Sequence, residues 1–158
     1  MSAIPSHHPI LWPPGKQQTA NSKLKVFVLY TGVRRTLAAI RRASEMAAGL
    51  NARIEVIIPH VVPYPLPIEE PAVTPSFLST RFKALLENAE IEASIHVYLC
   101  RDQREAVASA IPAQSLVVIG ARRWWPTREH PLGRWLRDNG HRVLFVDARS
   151  YTQEIFRA

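Results

Sequence analysis

Five short apolar runs, set apart by segments of helical periodicity, constrain this chain more than any other feature. The first, Val26-Phe-Val-Leu-Tyr30, lacks the polar alternation of a one-sided strand and suits a strand covered on both faces. Beyond Gly32, the residues Leu37, Ile40, Ala43, Ala47 and Leu50 recur in steps of three and four. They make one apolar helical stripe with Arg41, Arg42 and Glu45 largely outside it, and Gly49 and Asn51 offer a stop. Residues 54–58 predict a second strand. Thr74 reads as an N-cap with Pro75 at the first helical position, and Leu78, Phe82, Leu85 and Ala89 supply the stripe of a second helix. Ile95, Val97 and Leu99 then alternate with His96, Tyr98 and Cys100, a third strand with one less apolar face, as at a sheet edge. Asp102-Gln-Arg-Glu105 reads as the capping box of a third helix that Pro112 ends. Residues 115–119 and 143–146 predict the fourth and fifth strands, with a short helical pattern ending near Gly140 between them. Such alternation implies right-handed crossovers and a mostly parallel sheet in an α/β fold.

The chain's 158 residues suffice for one domain with its own core, and an apolar fraction of 47% is ordinary for a globular protein. No run approaches the ~20 apolar residues that span a bilayer. Ile10-Leu-Trp12 is too short, and too hemmed by prolines, for the apolar core of a signal peptide. A single cysteine, Cys100, rules out an internal disulfide and suits a reducing compartment, so a cytoplasmic protein is expected. Residues 1–23, rich in Pro, His, Ser and Gln, read as a flexible N-terminal arm, and 148–158 as a C-terminal tail. The adjacent His7 and His8 do not converge on one metal ion without further ligands. Residues 61–71 form a proline-rich loop that can continue neither a helix nor a central strand.

The net charge is +7, and 16 of the 20 basic residues are arginine. Arginine favours forked contacts with phosphate or carboxylate, which points towards anionic partners, although an arginine-rich solvated surface is equally compatible. No uninterrupted basic run marks a nucleic-acid tail. After the fourth apolar run comes Gly120-Ala-Arg-Arg123, then nine residues, then Gly133-Arg134. A glycine ending a buried strand before a helix start suits cradling of phosphate by backbone N–H groups.

In these segments the chain resembles the universal stress protein family, over residues 24–147. The resemblance implies three α/β/α layers around a five-stranded parallel sheet ordered 3-2-1-4-5, of the Rossmann-like, adenine-nucleotide-binding kind. Many members bind ATP through Gly-x2-Gly-x9-Gly-(Ser/Thr), whose four positions fall here on Gly120, Arg123, Gly133 and Arg134. An acidic Asp-Gly-Ser-like turn after the first strand falls on Thr31, Gly32 and Val33. Two signature positions have therefore become arginine, and a threonine hydroxyl is a poorer metal partner than the aspartate it replaces. The segment between Gly133 and the last strand is also about one turn shorter than usual in the family. The expectation is a degenerate nucleotide site that does not take Mg-ATP in the family's usual way.

By the open-sheet rule a ligand crevice lies where strand order reverses, beyond the first and fourth strands. Thr31, Gly32, Arg34, Arg35, Gly120, Arg122 and Arg123 are expected to gather there as an anionic pocket. The alternative is that these arginines are solvated or pair with Glu129 and Asp138. Trp124-Trp125, amid Arg122, Arg123 and Arg128, suit single-stranded nucleic acid, a plug for an empty crevice, or an interface anchor. His60, His96, His141 and the serines assemble no nucleophile signature, and Cys100 reads as a packing residue. An enzyme is not expected, beyond at most a slow ATPase, and no cofactor is required, with ATP the one left open. Residues 143–146 are apolar enough for an edge that must be covered, which suits the family's fifth-strand homodimer. Three readings follow: a regulatory or protective binding module, an ATP switch in which arginines replace the lost donors, and a nucleic-acid-associated protein.

Overall fold

The central apolar runs become strands because helices close over both sides of them. The computed structural model describes residues 9–12, 24–122 and 129–149. Its elements are β1 (Ile10–Trp12), β2 (Lys25–Leu29), α1 (Val33–Leu50), β3 (Arg53–Val61), α2 (Pro75–Asn88), β4 (Ser94–Cys100), α3 (Gln103–Ala110), β5 (Leu116–Ala121), α4 (Glu129–Asp138) and β6 (Arg142–Asp147). Val26, Phe27, Val28 and Leu29 are all buried, as the unbroken apolar run requires of a strand between two helical layers.

Alternate side chains enter two cores. Val26, Val28, Val56, Ile58 and Val118 pack with Ala39, Ile40 and Ala43 of α1 and with Phe82 and Leu86 of α2. Phe27, Leu29, Ile57, Val117 and Ile119 face the other way, towards Ala106 and Val107 of α3 and Leu132 and Leu136 of α4. The layers are therefore α1/α2, sheet, and α3/α4.

Among the described residues the sheet has six strands, in the order β1-β4-β3-β2-β5-β6, which corrects the expected five. β2 to β6 pair in parallel, while β1 adds an antiparallel strand with Ile10 opposite Leu99 and Trp12 opposite Val97. Residues 10–12 are thus part of the sheet, not of a flexible arm, and the rest of residues 1–23, save Pro9, lie outside the described residues. β4 is consequently not the edge that its alternating pattern suggested, because β1 covers it.

Asp102 caps α3 by accepting from the Arg104 backbone N–H at 2.9 Å. Thr74 occupies the N-cap of α2 ahead of Pro75 but makes no capping hydrogen bond, and Ser79, Phe82 and Leu86 form the buried face there. Asn51 ends α1 in the left-handed region at φ 51°. Leu50, expected in the buried stripe, is 55% exposed as the last residue of α1, while Ala47 one turn earlier is buried. The proline-rich loop is held by Arg101, whose Nη1 and Nη2 donate to the Val62 and Leu66 carbonyls, each at 2.7 Å. The Tyr64 ring lies 4.2 Å from that guanidinium. Among the described residues no helix is long and apolar enough to cross a membrane.

Candidate functional site

From β2 the chain builds outward one way through β3 and β4 and the other way through β5 and β6. The reversal therefore falls between the carboxyl ends of β2 and β5, where an open α/β sheet leaves a crevice. Thr31 and Gly32 leave β2 there, and Gly120 and Ala121 close β5 beside them.

The threonine is tied inward. Its hydroxyl donates to the Gly120 carbonyl oxygen at 2.8 Å, and its backbone N–H donates to the Thr36 hydroxyl at 3.1 Å. Thr36 is fully buried in the first turn of α1, so both ends of this small network rest on the core. At Gly32 the backbone takes φ 127°, a conformation that glycine adopts without a Cβ penalty, and this makes the sharp entry into α1.

Both signature glycines have packing roles. A Cβ at Gly120 would stand 2.0 Å from the Arg35 carbonyl oxygen, so α1 crosses β5 in backbone contact at that point. A Cβ at Gly133 would stand 2.1 Å from Cζ of Phe145, so α4 seats on β6 over that ring. Neither glycine lines the cavities at this end of the sheet.

Among the described residues, cavities open there on both sides of the sheet, each with Gly32 in the wall. On the α3/α4 side, Tyr30, Thr31, Pro59, Val61, Gln103 and Leu132 surround a space of about 290 Å³. On the α1 side, Val33, Arg34, Arg35, Arg122, Ala148 and Arg149 surround about 630 Å³. Arg34, Arg35 and Arg122 are thus brought together with Gly32 and Val33. Arg134 sits exposed on α4 and walls neither cavity. Arg123, Trp124 and Trp125 lie outside the described residues, as does the Glu129 side chain.

Sequence reasoning misses Arg149, which falls in the expected C-terminal tail and lines the α1-side cavity. The signal was present in the strand register, since Val146 stands opposite Gly120 and places the residues after Asp147 at the same end of the sheet. It also missed Gln103 and Leu132, whose placement depends on how α3 and α4 cross the strands.

The histidines are dispersed. His96 Nε2 pairs with the carboxylate of Glu55, a buried acid inside an apolar strand. His141 Nδ1 accepts from the Ser115 N–H at 3.3 Å, and burial lowers the His60 pKa. Burial, followed by the Asp102 and Glu105 carboxylates, pushes the Cys100 thiol up to about 11, which keeps it a thiol at neutral pH. Among the described residues no group of three His, Cys, Asp or Glu could hold a metal ion.

No protein-family model matches the sequence, and no curated protein matches it. Among solved structures, the chain is similar to a protein from the universal stress protein family of Burkholderia pseudomallei. The identity is 17%, 77% of this chain and 94% of that chain are covered, and the TM-score is 0.47.

Proposed function

We propose that this protein is a regulatory or protective binding module of the universal-stress-protein type whose strand-end crevice does not take Mg-ATP in the family's usual way. One observation carries the reading. The residue in place of the family's aspartate, Thr31, donates its hydroxyl to the carbonyl of Gly120, the residue in place of its first signature glycine. A hydroxyl so engaged is poorly placed to hold a metal, and a glycine in contact with the α1 backbone is already required for packing. Function on this reading is ligand- or partner-dependent association without bond chemistry. The nucleotide switch is the alternative that a single titration separates. Calorimetry of ATP with and without magnesium should show no tightening by the metal, and a tenfold or greater tightening would make the switch the better reading.

We also propose a homodimer through β6. It is an outer strand of the sheet, and Val143, Leu144 and Phe145 on it are half-buried in the single chain. Light scattering at micromolar concentration should give twice the chain mass, and a monomer would refute the pairing.

A further inference from the structure

We infer that a second copy of this chain joins β6 in the antiparallel register that sets Val143 opposite Asp147, so that Arg137 of each copy pairs with Asp147 of the other. The inference rests on the β6 homodimer proposed above and names the contacts that set its register.

The strand ladder gives the first ground. β6 ends the sheet among the described residues, and the Arg142 N–H donates to the Ser115 carbonyl at 3.0 Å. Arg142, Leu144 and Val146 therefore turn their N–H and C=O groups to β5, while Val143, Phe145 and Asp147 turn theirs outward. An antiparallel partner bonds such outward residues in facing pairs. The register that uses all three has its twofold axis at Phe145 and sets Val143 against Asp147 of the second copy.

Charge selects the same register. Arg137, exposed in the last turn of α4, lies over this edge. Its Nη2 donates to the Val143 carbonyl at 3.3 Å, and its guanidinium carbon stands 5.3 Å from the centre of the Phe145 ring. At the other end of the strand, Asp147 accepts the Arg149 backbone N–H with one carboxylate oxygen and keeps the second. Among the described residues neither Arg137 nor Asp147 makes an ion pair. In one chain the guanidinium sits beside Val143, four strand residues or about 13 Å from Asp147.

The twofold axis closes that gap. Val143 and Phe145 face the α3/α4 layer, and the period of two puts Asp147 on the same side. Residues directly opposite in an antiparallel pair share a face, so the incoming carboxylate arrives where Arg137 lies. The Asp147 N–H of the second copy takes the Val143 carbonyl, and the guanidinium exchanges a neutral acceptor for a charged one, the stronger bond. Symmetry makes the exchange twice per dimer.

The test is sedimentation of the full chain over a dilution series, comparing the parent with Arg137→Glu, Asp147→Arg and the double reversal. Arg81→Glu, at an exposed position on α2, is the control. Each single reversal is expected to weaken the dimer about tenfold or more, the double reversal to return it to within about threefold of the parent, and the control to change it less than about twofold. The neutral variants Arg137→Gln and Asp147→Asn, with circular-dichroism melts to verify the fold, should each weaken it about threefold or more. A parent chain that stays monomeric would overturn the β6 homodimer and this register with it. A dimer that the single reversals leave intact, or that the double reversal does not restore, would overturn the register alone.

Discussion

Substituting Gly120 by alanine separates a packing role from a phosphate-cradling one. The added Cβ would lie 2.0 Å from the Arg35 carbonyl oxygen, 2.5 Å from its carbon and 3.0 Å from its Cα. Comfortable carbon–oxygen approach begins near about 3.3 Å, so α1 and β5 must part by about 1.3 Å. All three atoms are backbone, and no rotamer change can relieve them. Lifting α1 would loosen Ala39, Ile40 and Ala43 from the sheet and stretch the hydrogen bond from Thr31 to Gly120. Overpacking by a methyl group costs about 1–3 kcal/mol where side chains can yield, so about 3 kcal/mol or more is expected here. At roughly 2–4 °C per kcal/mol for a chain of this size, the melting midpoint should fall by about 6–12 °C. Gly49→Ala is the matched control. Nothing lies within 4 Å of a Cβ there, in the last turn of α1, so it should gain about 0.5–1 kcal/mol from helix propensity. Circular-dichroism melts of the two variants should move in opposite directions. A Gly120→Ala protein that melts within 2 °C of the parent, and has lost only affinity for phosphorylated ligands, would refute the packing argument.

Gly133→Ala should cost about 1–2 kcal/mol in urea unfolding, less than Gly120→Ala, because the obstacle is the tip of the Phe145 ring, and Phe145→Leu in the same chain should recover part of it. Thr31→Val, which keeps the side-chain shape and removes the donor to Gly120, should lower stability by about 1 kcal/mol without changing ATP affinity. Cys100 should resist alkylation at pH 8 in the folded protein and react readily once unfolded. Its raised pKa favours the thiolate in the unfolded chain, so its contribution to stability is lost as pH climbs from 9 towards 11, and Cys100→Ala should flatten that decline in urea midpoints. Arg101→Ala should free the proline-rich loop, visible as new cleavage near Tyr64 in limited proteolysis with the far-ultraviolet spectrum unchanged.

Five strands and four helices were legible because each buries a patterned surface. Phe27 and Val28 face opposite cores, which forces an unbroken apolar run, and Ile40 and Ala43 face one core, which forces the helical stripe. β1 was not legible. Three residues cannot display a period, and what makes Ile10–Trp12 a strand is its ladder to β4, a tertiary fact. The stripe of α1 was legible at Ile40, Ala43 and Ala47 but not at Leu50, which ends the helix exposed.

At the candidate site, the spacing of Gly120 and Gly133 was legible, but the reason for each glycine was not. A backbone that must approach phosphate and one that must approach a neighbouring helix both demand glycine, and only the neighbour's identity tells them apart. Here the neighbours are the Arg35 carbonyl and the Phe145 ring. Glu55 and His96 illustrate the point from the other side. Glu55 sits inside an apolar strand, and only the pairing of β3 with β4 brings the histidine within its reach.

The most direct test of the account is a titration of the isotope-labelled protein with ATP and magnesium, following backbone amide shifts by NMR. The account predicts that the crevice residues Thr31, Val61, Gln103 and Leu132 stay still whether or not magnesium is present. Shifts centred on Val61, Gln103 and Leu132, appearing only when magnesium is present, would contradict it and restore a metal-dependent nucleotide site in the crevice.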